Sequence, residues 1–275
     1  MDSTRIVLFK DKKIRRTLFQ NEWWFVIVDV VTALTDSVQP EGYLKDMRRR
    51  DPELSKGWGQ IATPLVIETD GGPQKMNCAN PEGIFRIIQS IPSPKAEPFK
   101  RWLARVGYER VQEIENPELA TKRTRMLYKL KGYPDDWIEK RMRGIAIREE
   151  LTDEWSKRGA QEQKDYEILT AEISKATFGI TPSEYKELKN LNRENLRDHM
   201  DDLELIFTML GERATTEIHR TEDSNGVSKL KSDAKAGGKI AGGARKQLEK
   251  RIKRPIVSTN NFLAKKERSK NLKIK

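Results

Sequence analysis

The chain is poor in the residues that most chemistry needs. It has one cysteine and two histidines. A lone Cys78 excludes an internal disulfide and reads as a small buried hydrophobe in a strand. His199 and His219 have no cysteine or acidic partners at metal-ligand spacing, so no metal site is expected. No Gly-Lys-Ser/Thr phosphate loop is present, which leaves ATP use unsupported, and no cofactor is expected. No apolar run approaches the ~18–20 residues of a membrane helix. The start, Met1-Asp2-Ser3-Thr4, lacks the basic-then-apolar pattern of a signal peptide. These absences point to a cytoplasmic, non-enzymatic protein with no membrane partner.

Charge is what the chain has. Its 275 residues, enough for two domains, are 36% hydrophobic and 35% charged, with a net charge of +11. That charge is unevenly spread. Residues 224–275 hold 16 Lys+Arg and 3 Asp+Glu, a net of +13, so the remaining body is almost neutral. A basic tail gathers phosphates without reading sequence, or simply keeps the chain soluble. The last stretch, Ser269–Lys275, is expected to be disordered.

The first part reads as α+β. Ile6–Phe9 and Ile14–Phe19 form a hairpin around Lys10–Lys13. Trp23–Val28 is aromatic and β-branched, which predicts a buried strand. Asp29 is placed to cap a short helix, Val30–Leu34. Tyr43–Arg50 predicts a helix with Tyr43, Leu44 and Met47 on one face and Lys45, Arg48, Arg49 and Arg50 opposite. Leu65–Glu68 and Gln74–Ala79 flank Asp70-Gly71-Gly72-Pro73, a hairpin signal. Asn80-Pro81-Glu82 opens a further helix, with an N-cap, a first-turn proline and a carboxylate.

This order of elements resembles the BRO family amino-terminal domain, found in phage antirepressors and large DNA-virus proteins. The resemblance rests on Trp24-Phe25-Val26 with Asp29-Val30-Val31 and Leu34, and on Gly71-Gly72-Pro73-Gln74-Lys75-Met76. It continues through Asn80-Pro81-Glu82-Gly83-Ile84-Phe85 and Phe99-Lys100-Arg101-Trp102-Leu103. Arg105-Val106-Gly107-Tyr108 departs from the family pattern, so different packing is expected at that helix end. The resemblance implies nucleic-acid binding and a regulatory role in a phage or mobile-element setting.

The rest reads as helical. Pro117 breaks the chain after Asn116. Helices are predicted at Glu118–Leu130, at Trp137–Lys157 with a cap at Asp135 or Asp136 and a break near Thr152-Asp153, and at Gln161–Ala176. Another starts at Thr181-Pro182-Ser183-Glu184. Asn195–Ile218 is the clearest long helix, its stripe running Leu196, Met200, Leu203, Ile206, Phe207 and Leu210. That stripe serves either internal packing or a homo-oligomer. Glycine pairs at 237–238 and 242–243 make Ala236–Ala244 a loose helix with a small-residue face or a hinge, followed by a short basic helix, Gln247–Lys253. Tyr133–Arg141 and Glu150–Trp155 resemble the region after the BRO domain in antirepressor-type proteins. Asn195–Met200 is similar to the DNA-damage-inducible protein D group, which implies a damage or prophage response.

The expected architecture is an α+β module over 1–115, a helical domain over 116–223 and a basic, partly disordered tail over 224–275. Candidate nucleic-acid contacts are Lys45, Arg48 and Arg49 on the basic helix, Lys75 on the hairpin, and Lys100, Arg101 and Arg105 around Trp102. Trp102 itself reads as a core anchor. In the tail they are Lys246, Lys250, Arg251, Lys253 and Arg254. The partner expected is DNA. The alternative is a module that sequesters a repressor or a recombination or repair protein without touching DNA. A metal-dependent nuclease built on Asp201, Asp202 and Glu204, or on Asp135-Asp136, is weaker, because these read as helix-start and solvated residues.

Overall fold

The computed structural model describes residues 5–9, 12–35 and 37–262, with side chains from residue 13 onward. The expected disorder of Ser269–Lys275 falls outside the described residues. The chain divides into two compact units, Met1–Asn116 and Pro117–Lys275. The first is α+β and the second is all-helical, as the sequence predicts.

In the first unit three strands, β1 (Arg5–Phe9), β2 (Lys12–Phe19) and β3 (Glu22–Val26), precede three helices. These are α1 (Ile27–Thr35), α2 (Pro40–Arg50) and α3 (Pro52–Ile61). Then come β4 (Thr63–Thr69), β5 (Gly72–Ala79), α4 (Pro81–Gln89) and α5 (Glu97–Glu115). The five strands form one antiparallel sheet in the order β1-β2-β3-β5-β4. Gln20 and Asn21, both at positive φ, make a tight turn between β2 and β3. The turn into β5 ends on Gly72 at φ +96°, a conformation that favours glycine.

Strand alternation splits β3 between two apolar clusters. Phe25 joins Ile14, Ile27, Val31, Leu34, Met47, Leu54, Ile84 and Ile87 beneath the helices. Trp24 and Val26 join Ile67 and Cys78. Cys78 is buried, as expected, and burial pushes its thiol up to about 11.

Two local readings change. The helix expected from Val30 already begins at Ile27, so Asp29 sits inside its first turn and is no N-cap. Asp29 instead accepts from the Arg15 backbone N–H and side chain at 2.9 and 2.8 Å, tying α1 to β2. Helix α3 was not foreseen. Asp51 caps it, accepting from the Leu54 N–H at 2.9 Å. The Asn80 cap forms as expected, accepting from the Gly83 N–H.

The second unit runs α6 (Glu118–Leu130), α7 (Asp135–Lys157), α8 (Gln163–Phe178) and α9 (Pro182–Leu188). A 3-10 turn (Leu196–His199) leads into α10 (Asp202–Thr221) and α11 (Val227–Ile252). Helix α9 starts where expected, and Thr181 and Glu184 cap it reciprocally. Helix α7 passes through Thr152-Asp153 without a break, and no side chain caps it. The long helix expected from Asn195 is divided. Asn195 accepts from the Arg197 N–H to form the 3-10 turn, Met200 is extended, and Asp201 caps α10. Leu196, Met200 and Phe207 of the stripe pack inside the unit, with Leu203 against them, while Ile206 and Leu210 stay exposed, so internal packing takes part of the stripe.

The segment expected as a tail is, over Val227–Ile252, one core helix packed on α8 and α10. Three of its four glycines, Gly237, Gly238 and Gly242, are contact points, and no hinge forms. A Cβ on Gly237 would lie 2.6 Å from the Thr215 backbone nitrogen, and one on Gly238 would lie 2.7 Å from the Ile173 carbonyl. Only glycine lets these helices approach so closely.

This unit also buries ions. Lys189 and Glu204 are both fully buried and pair at 3.0 Å. Tyr185 donates to the same carboxylate, and Lys189 also donates to the Asn260 carbonyl. Glu204, read from sequence as solvated, is therefore an internal anchor. The buried His219 ring accepts at Nε2 from the Trp155 indole N–H and lies 3.2 Å from Asp233 through Nδ1. An indole is only a donor, so Nε2 carries no proton and the ring is neutral. Burial accordingly lowers its pKa.

Candidate nucleic-acid interface

Helix α2 starts with Pro40 in its first turn and buries Leu44 and Met47. Lys45 and Arg49, one turn apart, share an exposed face. Arg49 pairs with Asp46 at 3.1 Å, an exposed contact that leaves the guanidinium accessible. Arg48 points elsewhere. It is half-buried, with its guanidinium 4.5 Å above the Trp58 ring and its Nε buried without a hydrogen-bond partner. Two of the three candidates on this helix therefore face solvent, and the third supports α3.

Asp51 fixes the corner where α2 ends. Besides capping α3 it accepts from Ser90 Oγ at 2.6 Å and from Arg86 at 2.9 Å, both from the α4 region. These donors hold its carboxyl at about 2, with the Ser90 hydroxyl the leading cause. Sequence reasoning missed this clamp. Its available signal was Asp51-Pro52, a cap followed by a first-turn proline.

Lys75 is exposed on β5, opposite the exposed Val66 of edge strand β4. Arg101 and Arg105 share a face of α5, while half-buried Lys100 lies about a third of a turn away. Arg101 meets Glu97 at 3.3 Å. Trp102 is no core anchor. It is 44% exposed at the rim of an aromatic group with Phe85 and Phe99, at centroid distances of 6.1 and 5.2 Å. Helix α5 buries no residue at all, and Tyr108, Val111 and Ile114 stand exposed along it.

In the second unit α11 divides its charge by face. Arg245 turns inward, donating to the Thr177 carbonyl at 2.8 Å and to Glu249 at 2.6 Å. Lys246, Lys250 and Arg251 are exposed on the helix; Lys253 ends it at φ +56°, and Arg254 follows, exposed. Lys235 and Lys239, which sequence reasoning did not single out, extend the row. At ~100° per residue Lys235, Lys239, Lys246 and Lys250 fall within one narrow stripe, about 22 Å long at 1.5 Å per residue. None of the four has an ion-pair partner among the described residues. The signal was the 4-7-4 spacing, hidden by the glycine pairs. Among the described residues no group of three or more His, Cys, Asp or Glu could hold a metal ion. No described helix is long and apolar enough to cross a membrane.

The first unit thus has the make-up of a small sheet-and-helix module with an exposed basic surface. Residues 13–112 match the model of the BRO family, N-terminal domain. This is a regulatory domain family associated with phage antirepressor-like proteins. No protein with a curated description matches the chain.

Proposed function

We propose that this protein is a non-enzymatic, nucleic-acid-binding regulator of the prophage antirepressor type, acting in a damage or prophage response. The lysine stripe on α11 carries the nucleic-acid reading. Four unpaired cations in a row match a phosphate backbone better than they serve the fold. In the first unit Lys45 and Arg49 on α2, Lys75 on β5, and Arg101 and Arg105 on α5 add contacts, and Arg is suited to bidentate hydrogen bonds with guanine edges. Trp102 offers an exposed ring beside two of these cations, a stacking surface for a base.

The test is a salt series of DNA binding. Deleting residues 224–275 would remove a core helix, so substitution is the sound design. Replacing Lys235, Lys239, Lys246 and Lys250 by Gln should flatten the dependence of log K on log salt by about 3 to 4, near 0.9 per lost phosphate contact. An unchanged slope would end the stripe's role. The second reading is a module that sequesters a repressor or a repair protein without touching DNA. The exposed Tyr108, Val111 and Ile114 on α5 favour it. It predicts no DNA binding at low salt by the full chain, and loss of a protein partner on Ile114→Asp.

A further inference from the structure

Helix α5 carries a face that its own unit leaves open. At ~100° per residue Lys100, Ala104, Gly107, Val111 and Glu115 fall within a stripe about 80° wide, with Ile114 and Tyr108 at its two edges. Tyr108, Val111 and Ile114 are 61%, 52% and 81% exposed. Charges of opposite sign mark the two ends of the stripe. Lys100 and Glu115 lie about 22 Å apart along the axis, at 1.5 Å per residue. Neither has an ion-pair partner among the described residues. Glu115 also ends the helix, where the macrodipole favours a cation, and the last turn holds no basic residue to offset it. At the middle of the face, a Cβ on Gly107 would meet nothing within 4 Å. The unit itself therefore does not require glycine there, although glycine weakens a helix interior.

These features are self-complementary. Lys100 and Glu115 are equally distant from the midpoint between Gly107 and Tyr108, and so are Ala104 and Val111. An antiparallel copy of the helix, centred on that midpoint, sets Glu115 of the second copy level with Lys100. It also sets Val111 of the second copy level with Ala104, a larger side chain against a smaller one. Each contact occurs twice, as twofold symmetry requires. Gly107 lies at the crossing, where the absent side chain lets the two backbones approach. A parallel copy would instead set lysine on lysine and glutamate on glutamate. We propose that the protein forms a homodimer through antiparallel pairing of α5 with α5 of a second copy. Arg105, on the far side of the helix, stays outside the pairing. The dimer gives to a second copy the face that the sequestering reading gives to a repressor, and it does not rest on DNA binding.

Sedimentation velocity on the full chain tests it. One helix pair is a small interface, so the chain should be dimeric at about 100 µM and dissociate on dilution toward about 1 µM. Val111→Asp and Ile114→Asp, at exposed positions, should each weaken the dimer at least about tenfold and leave the far-UV circular dichroism unchanged. Glu115→Lys should weaken it at least about threefold, and adding Lys100→Glu should restore it. Cross-linking reads the orientation without touching half-buried Lys100. The one native cysteine, Cys78, is buried, so an introduced surface thiol is the one free to react. Tyr108→Cys, beside the twofold axis, should give a disulfide-linked dimer on mild oxidation, and Ile114→Cys, toward the ends, should not. Linkage by both variants would mean a parallel pair and overturn the proposal. So would a monomer at about 100 µM, or a dimer indifferent to both Val111→Asp and Ile114→Asp.

Discussion

The two units place their charged residues in opposite ways. Among the described residues of the α+β unit the only buried polar side chain is Thr17. Its candidate contacts Lys45, Arg49, Lys75, Arg101 and Arg105 all lie outside. The helical unit buries Lys189, Glu204, Glu212, His219, Asp233 and Arg245. A cation count therefore describes the surface of the first unit and misdescribes that of the second. Within α11 alone, Arg245 serves the core while Lys246 beside it faces water.

The contrast should be easiest to break at Glu204. Glu204→Ala leaves Lys189 buried and unpaired, which costs about 3–5 kcal/mol. Joint replacement, Lys189→Met with Glu204→Leu, should recover much of that, because an apolar pair of similar volume often matches a buried ion pair. Chemical denaturation followed by far-UV circular dichroism would measure both. A small loss in the single variant would mean the pair is wetter than it stands here. Next in size is Gly237→Ala. Its Cβ would meet Thr215 backbone, which cannot swing aside, so the loss should reach the upper part of the ~1–3 kcal/mol range for overpacking. Gly243→Ala, with open space around it, should be neutral or stabilising. Equal behaviour of the two would remove the close approach of α11 to α10 as a feature of the fold.

How much of this was legible in sequence follows the same division. Features set by short-range chemistry were readable: the Asn80-Pro81 and Thr181-Pro182-Ser183-Glu184 helix starts, and the hairpin around Gly71-Gly72. Helix α3 escaped because Gly57 and Gly59 weaken its propensity, although the local Asp51-Pro52 start was there to read. The β2–β3 turn escaped because Gln20 and Asn21 include no glycine. At the candidate interface the named cations were read by residue type, which could not separate Arg48, laid on Trp58, from exposed Arg49. Lys235 and Lys239 become visible only if the helix runs on through two glycine pairs. That continuity depends on α8 and α10 and not on local propensity.

Acid should separate the units further. In the helical unit the His219 pKa is lowered by burial below its unfolded value. Between the two values the unfolded chain takes up a proton that the native chain does not. Stability from this group is complete above about pH 6.5 and is lost as pH falls below it. In the α+β unit Asp51 is held at about 2. Its contribution is complete above about pH 4 and is lost between there and about pH 2. A melt series from pH 7.5 to 2.5 should therefore show the helical unit weakening first. His219→Gln should flatten that first loss, and Asp51→Asn should flatten the second. A single shared acid transition, unmoved by either variant, would show that neither group governs the behaviour.

The smallest stability effects should come from neighbouring arginines on one helix, and they sharpen the comparison most for function. Arg49 is exposed, and its pair with Asp46 is of the kind that contributes ~0–1 kcal/mol. Arg49→Ala should therefore leave the stability of the α+β unit within about 0.5 kcal/mol. Arg48 covers Trp58, a contact of about 0.5–1 kcal/mol at an accessible site, and its stem adds packing. Arg48→Ala should cost about 1 kcal/mol. If α2 meets a nucleic acid, the order reverses in a binding assay. Arg49→Ala should weaken DNA binding with no change in Tm, whereas Arg48→Ala should lower Tm and leave affinity nearly intact. Should both lower Tm and neither touch affinity, the basic end of α2 is part of the fold alone, and the nucleic-acid surface must be sought on α5 and α11.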